Sequence, residues 1–108
     1  MGWLPQIPVR LLPDEMTVRV ALGAGRFDDA VTVGHVRFVL AQSESGDDHR
    51  DADAGSGRVY IDAVNSPGAF EIPVGSRVWI RGRSYTVWRS RVCEANIGEA
   101  HHYEVDVR

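Results

Sequence analysis

Between Val74 and Trp88 the chain runs Val-Gly-Ser-Arg-Val-Trp-Ile-Arg-Gly-Arg-Ser-Tyr-Thr-Val-Trp, two alternating stretches about a Gly-Arg pair. Alternation places successive side chains on opposite faces of a strand, so this pattern specifies a β-hairpin and excludes a helix. Gly82-Arg83 suits a two-residue II′ turn, with glycine at its first central position. That turn pairs Arg81 with Ser84, Ile80 with Tyr85, Trp79 with Thr86, Val78 with Val87 and Arg77 with Trp88. One face collects Val78, Ile80, Tyr85 and Val87, which is a core face. The other collects Arg77, Trp79, Arg81 and Trp88 with Ser84 and Thr86. A slip of one residue would mix the two sets, so the pattern argues for its own register. Tryptophan and arginine are the residues most enriched at protein interfaces. The outer face is therefore expected to be covered, by another segment of the same chain or by a neighbouring subunit. The second is favoured.

The rest of the chain supports an all-β reading. Met16 to Ala21 alternates, with Met16, Val18 and Val20 on one face. Val31 to Ala41 is rich in β-branched residues, and its apolar phase shifts across Gly34-His35, which predicts a bulge or a barrel bend. Val59, Ile61 and Ala63 alternate with Tyr60 and Asp62, and Tyr103, Val105 and Val107 face inward on a last strand. Arg26 to Ala30 and Glu94 to Ala100 read as loops or single helical turns. Nowhere does a 3.6-residue period persist for ten residues. A length of 108 residues gives one domain with a modest core. The expected fold is a small SH3-like β-barrel spanning 15–108, with glycine corners at Gly34, Gly75 and Gly82.

Two segments stand apart. Residues 1–14 carry Pro5, Pro8 and Pro13, a density that favours an extended arm over a helix. Trp3, Leu4, Ile7, Val9, Leu11 and Leu12 make the arm apolar, so it must pack on its own domain or on a neighbour. Residues 42–57 hold no large apolar side chain and read as a long, mobile, acidic loop. Asp47, Asp48, Asp51 and Asp53 dominate its charge. The loop lacks the third carboxylate and closing glutamate of an EF-hand, so a solvated loop is the expectation, not a calcium site.

Net charge is −3, and all twelve basic residues are arginine. The excess of carboxylates argues against a nucleic-acid binder, although Arg77, Arg81, Arg83, Arg89 and Arg91 interleave with aromatic residues. Ion-paired arginines at a protein interface are the preferred reading, since guanidinium groups pair bidentately and stack. Chemistry is poorly supported. There is no nucleophile elbow and no phosphate-cradling glycine loop. Cys93 cannot form an intrachain disulfide, and its spacing to His101 and His102 does not mark a catalytic pair. His101 and His102 are adjacent on a strand, which points them to opposite faces and disfavours a shared metal. No cofactor and no metal are expected. No apolar run is long enough for a membrane span, and the N-terminus does not read as a secretory signal.

Four stretches together resemble the minor capsid or head-closure proteins of tailed bacteriophages. They are Val59-Tyr-Ile-Asp-Ala-Val-Asn-Ser66, Pro73-Val-Gly-Ser-Arg-Val78, Gly82-Arg-Ser-Tyr-Thr-Val87 and His101-His-Tyr-Glu-Val105, and the proline-rich arm is similar too. The resemblance implies a head-to-tail connector of the stopper type, located in the neck of the virion and assembled in the host cytoplasm. It implies a homo-oligomeric ring of six or twelve copies, with the portal and adaptor complex above and the tail terminator or tail tube below. It implies that residues 42–57 face the DNA channel, where a negative lining would touch packaged DNA only transiently. Trp3, Leu4, Ile7, Arg77, Trp79, Arg81 and Trp88 would then form subunit interfaces. A nucleic-acid-binding SH3-like module is the alternative, and an enzyme is the least favoured.

Overall fold

The alternating runs become strands that share one interior. In a computed structural model of the chain, described over residues 5–41, 55–96 and 98–108, the strands are β1 (Asp14–Arg19), β2 (Ala21–Gly23), β3 (Arg26–Phe27), β4 (Val31–Leu40), β5 (Gly57–Asp62), β6 (Arg77–Ile80), β7 (Arg83–Asn96) and β8 (Glu99–Val107). Six of them close into an antiparallel barrel in the order β1-β4-β5-β8-β7-β6, and β6 pairs back onto β1. Closure removes the open sheet edges that would otherwise invite strand addition. Among the described residues no helix is long and apolar enough to cross a membrane.

Inward positions fill the barrel as the alternation requires. Met16 and Val18, Val33, Val36 and Phe38, Val59 and Ile61, Val78 and Ile80, Tyr85 and Val87, and Val105 and Val107 form one buried cluster closed by Ile72. Val20 and Tyr103 are only partly buried against it, and Val31 and Leu40 at the ends of β4 are exposed. The expected phase shift in β4 is a bulge. Asp14 pairs with Val36 but Met16 with Val33, so Gly34 and His35 are the looped-out pair, and His35 takes a positive φ of 48°. That extra residue lets Val33 and Val36 both face the core.

The hairpin departs from expectation in its turn. The two central residues are Arg81 and Gly82, with φ of 54° and 80°, a pair of positive values that defines a type I′ turn. Ile80 pairs with Arg83, Trp79 with Ser84, Val78 with Tyr85 and Arg77 with Thr86. The turn sits one residue earlier than predicted, so every partner moves by two. An even shift leaves the inner and outer sets intact. Arginine at positive φ is uncommon, and here a distant contact holds it. The Arg81 guanidinium donates to both oxygens of Asp14, at 2.9 and 3.0 Å, and to the Phe38 carbonyl at 3.1 Å. Asp14 in turn accepts the Phe38 amide. Hydrogen bonding from Arg81 holds the Asp14 carboxyl below its usual range.

Two segments expected to be loops or helical turns are partly strand. Arg26–Phe27 pairs with Ala21–Gly23, because Gly23, Ala24 and Gly25 all adopt positive φ and reverse the chain tightly. Glu94 to Asn96 on one side and Glu99 to Ala100 on the other extend the β7–β8 ladder through Glu94↔Ala100 and Asn96↔Glu99. At the start of β5, Gly57 lies where a Cβ would meet the Val39 carbonyl oxygen at 2.6 Å and the Phe38 ring at 2.7 Å. Gly57→Ala is expected to cost about 1–3 kcal/mol, as overpacking does. Gly55→Ala, which meets nothing within 4 Å, should be close to neutral in the same chemical denaturation series.

From Pro5 onward the arm packs on its own barrel. It contains one short 3-10 turn, Val9–Leu11, followed by a buried Leu12. The fastening point is Asp62, a fully buried carboxylate at the end of β5. Its oxygens accept the Ile7 amide at 2.8 Å and the Gln6 side-chain amide at 2.9 and 3.0 Å. They also accept the Val64 and Asn65 amides, which shape the turn after β5. Asn65 completes the junction by donating to the Ile7 carbonyl.

Candidate interaction surface

The outer face of the β5–β8–β7 sheet carries an acidic column on β8 flanked by arginines. Registry sets Tyr60 and Arg91 beside Glu104, and Arg58 and Arg89 beside Asp106. Arg58 reaches Asp106 at 2.7 Å and Glu104 at 3.6 Å, Arg91 reaches Glu104 at 2.8 Å, and Arg89 reaches Asp106 at 3.7 Å. Pairs this exposed contribute well under 1 kcal/mol each to stability. Their larger consequence is chemical: Arg58, Arg81, Arg89 and Arg91 each lie within ion-pair distance of Asp14, Glu104 or Asp106, so most of their charge is engaged within the chain. A surface for nucleic acid needs guanidinium groups left over for phosphates, so this arrangement disfavours that alternative.

Beside this charged ladder lies an apolar strip. Leu11, Val39, Leu40 and Trp88 are all more than a third exposed. Two adjoining open grooves run through them, one lined by Ile7, Leu11, Arg37, Val39 and Tyr60, the other by Val39, Leu40, Gly57, Tyr60, Trp88 and Arg89. Trp88 follows the inward Val87 and so faces out by alternation, and a bulge there, with Val87 paired to Val107 and Arg89 to Asp106, keeps Arg89 on the same side. The Arg89 and Arg108 guanidinium groups sit 4.6 and 5.1 Å from its ring. Two cations against one indole restrain its orientation, which lowers the entropic cost of docking.

Trp79 occupies the outer face of β6, between Thr17 of β1 and Ser84 of β7, and is 37% exposed. Arg77 shares that face and lies between Arg19 and Thr86. Arg81 is in the turn, committed to Asp14 and the Phe38 carbonyl. Ile7 is half-buried on the barrel, at the head of the apolar strip. Trp3 and Leu4, and the loop aspartates Asp47, Asp48, Asp51 and Asp53, lie outside the described residues.

Sequence reasoning did not single out Asp62, the strip through Val39 and Leu40, or the meeting of Cys93, His102 and Glu104. Each had a signal. Asp62 precedes Val64-Asn65-Ser66 at the spacing of an aspartate that caps its own turn. Val39 and Leu40 are consecutive apolar residues at a strand end, so one of them had to face out. Cys93 and His102 became neighbours only once β7 was known to extend to Asn96 and β8 to begin at Glu99. The Cys93 thiol donates to Glu104, and burial followed by that negative charge pushes its pKa up. It is thus a poor nucleophile.

No curated protein and no solved structure matches the chain. A family of minor capsid proteins matches residues 8–107, from the 3-10 turn of the arm to the last residue of β8. That span includes the whole barrel, both tryptophans of the outer surface and the charged ladder. A match of that extent establishes kinship, and the protein belongs to the minor capsid protein family, a structural component of the phage virion.

Proposed function

We propose that the protein is a head-closure component of the head-to-tail connector, a stopper that forms a ring between the portal-adaptor complex and the tail and closes the DNA exit. The observation that carries this reading is an outer surface with exposed Trp79 and Trp88 and an apolar strip on a minor capsid protein. A monomer has no use for oriented, half-exposed tryptophans, whereas a ring subunit must present complementary faces to two neighbours. The small closed antiparallel barrel is compatible with an SH3-like fold, and the proposed channel loop falls in sequence between the end of β4 at Leu40 and the start of β5 at Gly57. With four aspartates and Glu44 against Arg50, that loop would line the lumen with negative charge and let DNA slide past. Trp3, Leu4 and Ile7 would extend the contact to an adjacent subunit.

A phage carrying a nonsense mutation in this gene tests the reading. Heads are expected to package DNA, lose it on purification and fail to join tails, with rescue by the protein supplied in trans. Stable, full heads bearing tails would overturn the proposal.

A further inference from the structure

At the arm end of the β7–β8 ladder, Cys93 and His102 are direct cross-strand partners, and Glu104 follows His102 on the same face. One ligand atom from each lies within 4.8 Å of the others. A Cys-His-carboxylate trio of that spread could be an accident of strand pairing. The hydrogen bonds around His102 argue otherwise.

His101 Nε2 lies 2.8 Å from the Pro5 carbonyl oxygen, which can only accept, so that nitrogen carries a hydrogen. In a neutral His101 the Nδ1 is then an acceptor. It sits 2.9 Å from Nδ1 of His102, which must therefore be the donor. The two rings meet edge to face, with centroids 5.1 Å apart, although residues 101 and 102 are adjacent on a strand. In a neutral His102 the remaining nitrogen, Nε2, is a bare lone pair. It faces Oε2 of Glu104 at 3.0 Å, and that carboxylate is kept ionised by Arg91 and Arg58 on its other oxygen. Two acceptors 3.0 Å apart need a cation between or beside them, either a proton or a metal ion.

The geometry points to a zinc-type divalent metal site formed by Cys93 Sγ, His102 Nε2 and Glu104 Oε2. Sulfur, imidazole and carboxylate together are the donor set of tetrahedral zinc, at about 2.3 Å for sulfur and about 2.0–2.2 Å for nitrogen and oxygen. The three atoms lie within 4.8 Å of one another and two of them are 3.0 Å apart, close to the spread of ligands around one ion. The fixed tautomer is the arrangement that metal-bound histidines use: the far nitrogen donates to an outer partner, here His101, which is itself anchored on Pro5. Two negative ligands balance a dication. Cys93 releases its thiol proton to solvent when the metal binds. The fourth tetrahedral position stays open to water or to a ligand from a neighbouring molecule. The ion would tie β7 to β8 and, through His101, stiffen the attachment of the arm.

The test uses the full-length protein, stripped with chelator under reducing conditions and titrated with ZnCl2 against a chromophoric competitor, and separately with CoCl2. Uptake of one equivalent of zinc is expected, together with a raised melting temperature. Cobalt should give the strong visible bands of a tetrahedral site and a thiolate charge-transfer band in the near ultraviolet. Cys93→Ser should abolish the charge-transfer band and weaken binding. His101→Asn, which leaves the three ligands in place, should weaken zinc by about 10–100-fold, the usual effect of losing an outer partner. Absence of stoichiometric uptake by the folded protein would overturn the proposal and leave a proton between His102 and Glu104. Uptake that Cys93→Ser and Glu104→Gln leave unchanged would also overturn it, by locating the metal elsewhere.

Discussion

Replacing Asp62 by alanine is expected to destabilise the protein by roughly 3 kcal/mol or more, a loss on the order of 15 °C in melting temperature for a domain of this size. The side chain is fully buried and receives the Ile7, Val64 and Asn65 amides and both contacts from Gln6. Its removal strands those donors in a buried site, which costs far more than the loss of an exposed ion pair. Asp62→Asn should also destabilise, because one of its two atoms would be a donor facing donors. The arm should come loose in both variants, detected as faster hydrogen exchange at Ile7 and as protease cleavage near Pro8. Unchanged protection of the Ile7 amide in a folded Asp62→Ala protein would refute this role.

The same carboxylate gives the protein an acid limit. Burial by itself would raise the Asp62 pKa, but the amides of Asn65, Gln6, Ile7 and Val64 outweigh it and hold the group below its usual range. Asp14 behaves alike, lowered by its hydrogen bond from Arg81. A carboxyl whose pKa is lower folded than unfolded contributes stability above its unfolded value and loses it as pH falls through the folded one. Stability should therefore be flat near neutrality and decline below about pH 4. In Asp62→Asn the decline should be shallower, measured as the midpoint of urea unfolding against pH.

Much of the barrel is legible in the sequence because alternation is a local property. Val78, Ile80, Tyr85 and Val87 had to share a face whichever residues made the turn, and they do. The turn itself was not legible. Arg81-Gly82 and Gly82-Arg83 both supply a glycine, and the choice is made by Asp14, which lies 67 residues away. The bulge at Gly34-His35 left a phase shift in the apolar pattern, whereas the bulge at Trp88 left none, since an outward tryptophan reads the same in either register. The short β2–β3 ribbon and the continuation of the β7–β8 ladder had too few alternating residues to announce themselves. The arm is the clearest case of a long-range decision. Its apolar composition says that it must pack, and only the meeting of Gln6 and Ile7 with Asp62 says where.

Loss of Trp88 is expected to have the largest effect on assembly. An aromatic anchor at a well-packed interface typically contributes about 2 kcal/mol or more, roughly thirtyfold in the dissociation constant of each contact. A closed ring repeats the contact at every subunit, so a defect that is modest in one pair becomes prohibitive in the whole. Trp88 is suited to the part because its ring is outward, clamped by Arg89 and Arg108, and continuous with Val39 and Leu40. Its partial exposure also means that Trp88→Ala removes little from the core, so the isolated protein should keep its melting temperature within a few degrees. Trp79→Ala should behave similarly from the β6 side, where Thr17 and Ser84 leave the indole open. If the two tryptophans lie on opposite sides of one subunit-subunit contact, mixing the single variants should still fail to give rings. If each meets a different partner, Trp88→Ala should abolish one attachment and Trp79→Ala the other, seen by electron microscopy of particles assembled with each variant. Normal incorporation of both variants into virions would show that the aromatic surface is not an interface. Loss of folding in Trp88→Ala would show instead that the indole is part of the barrel's own packing.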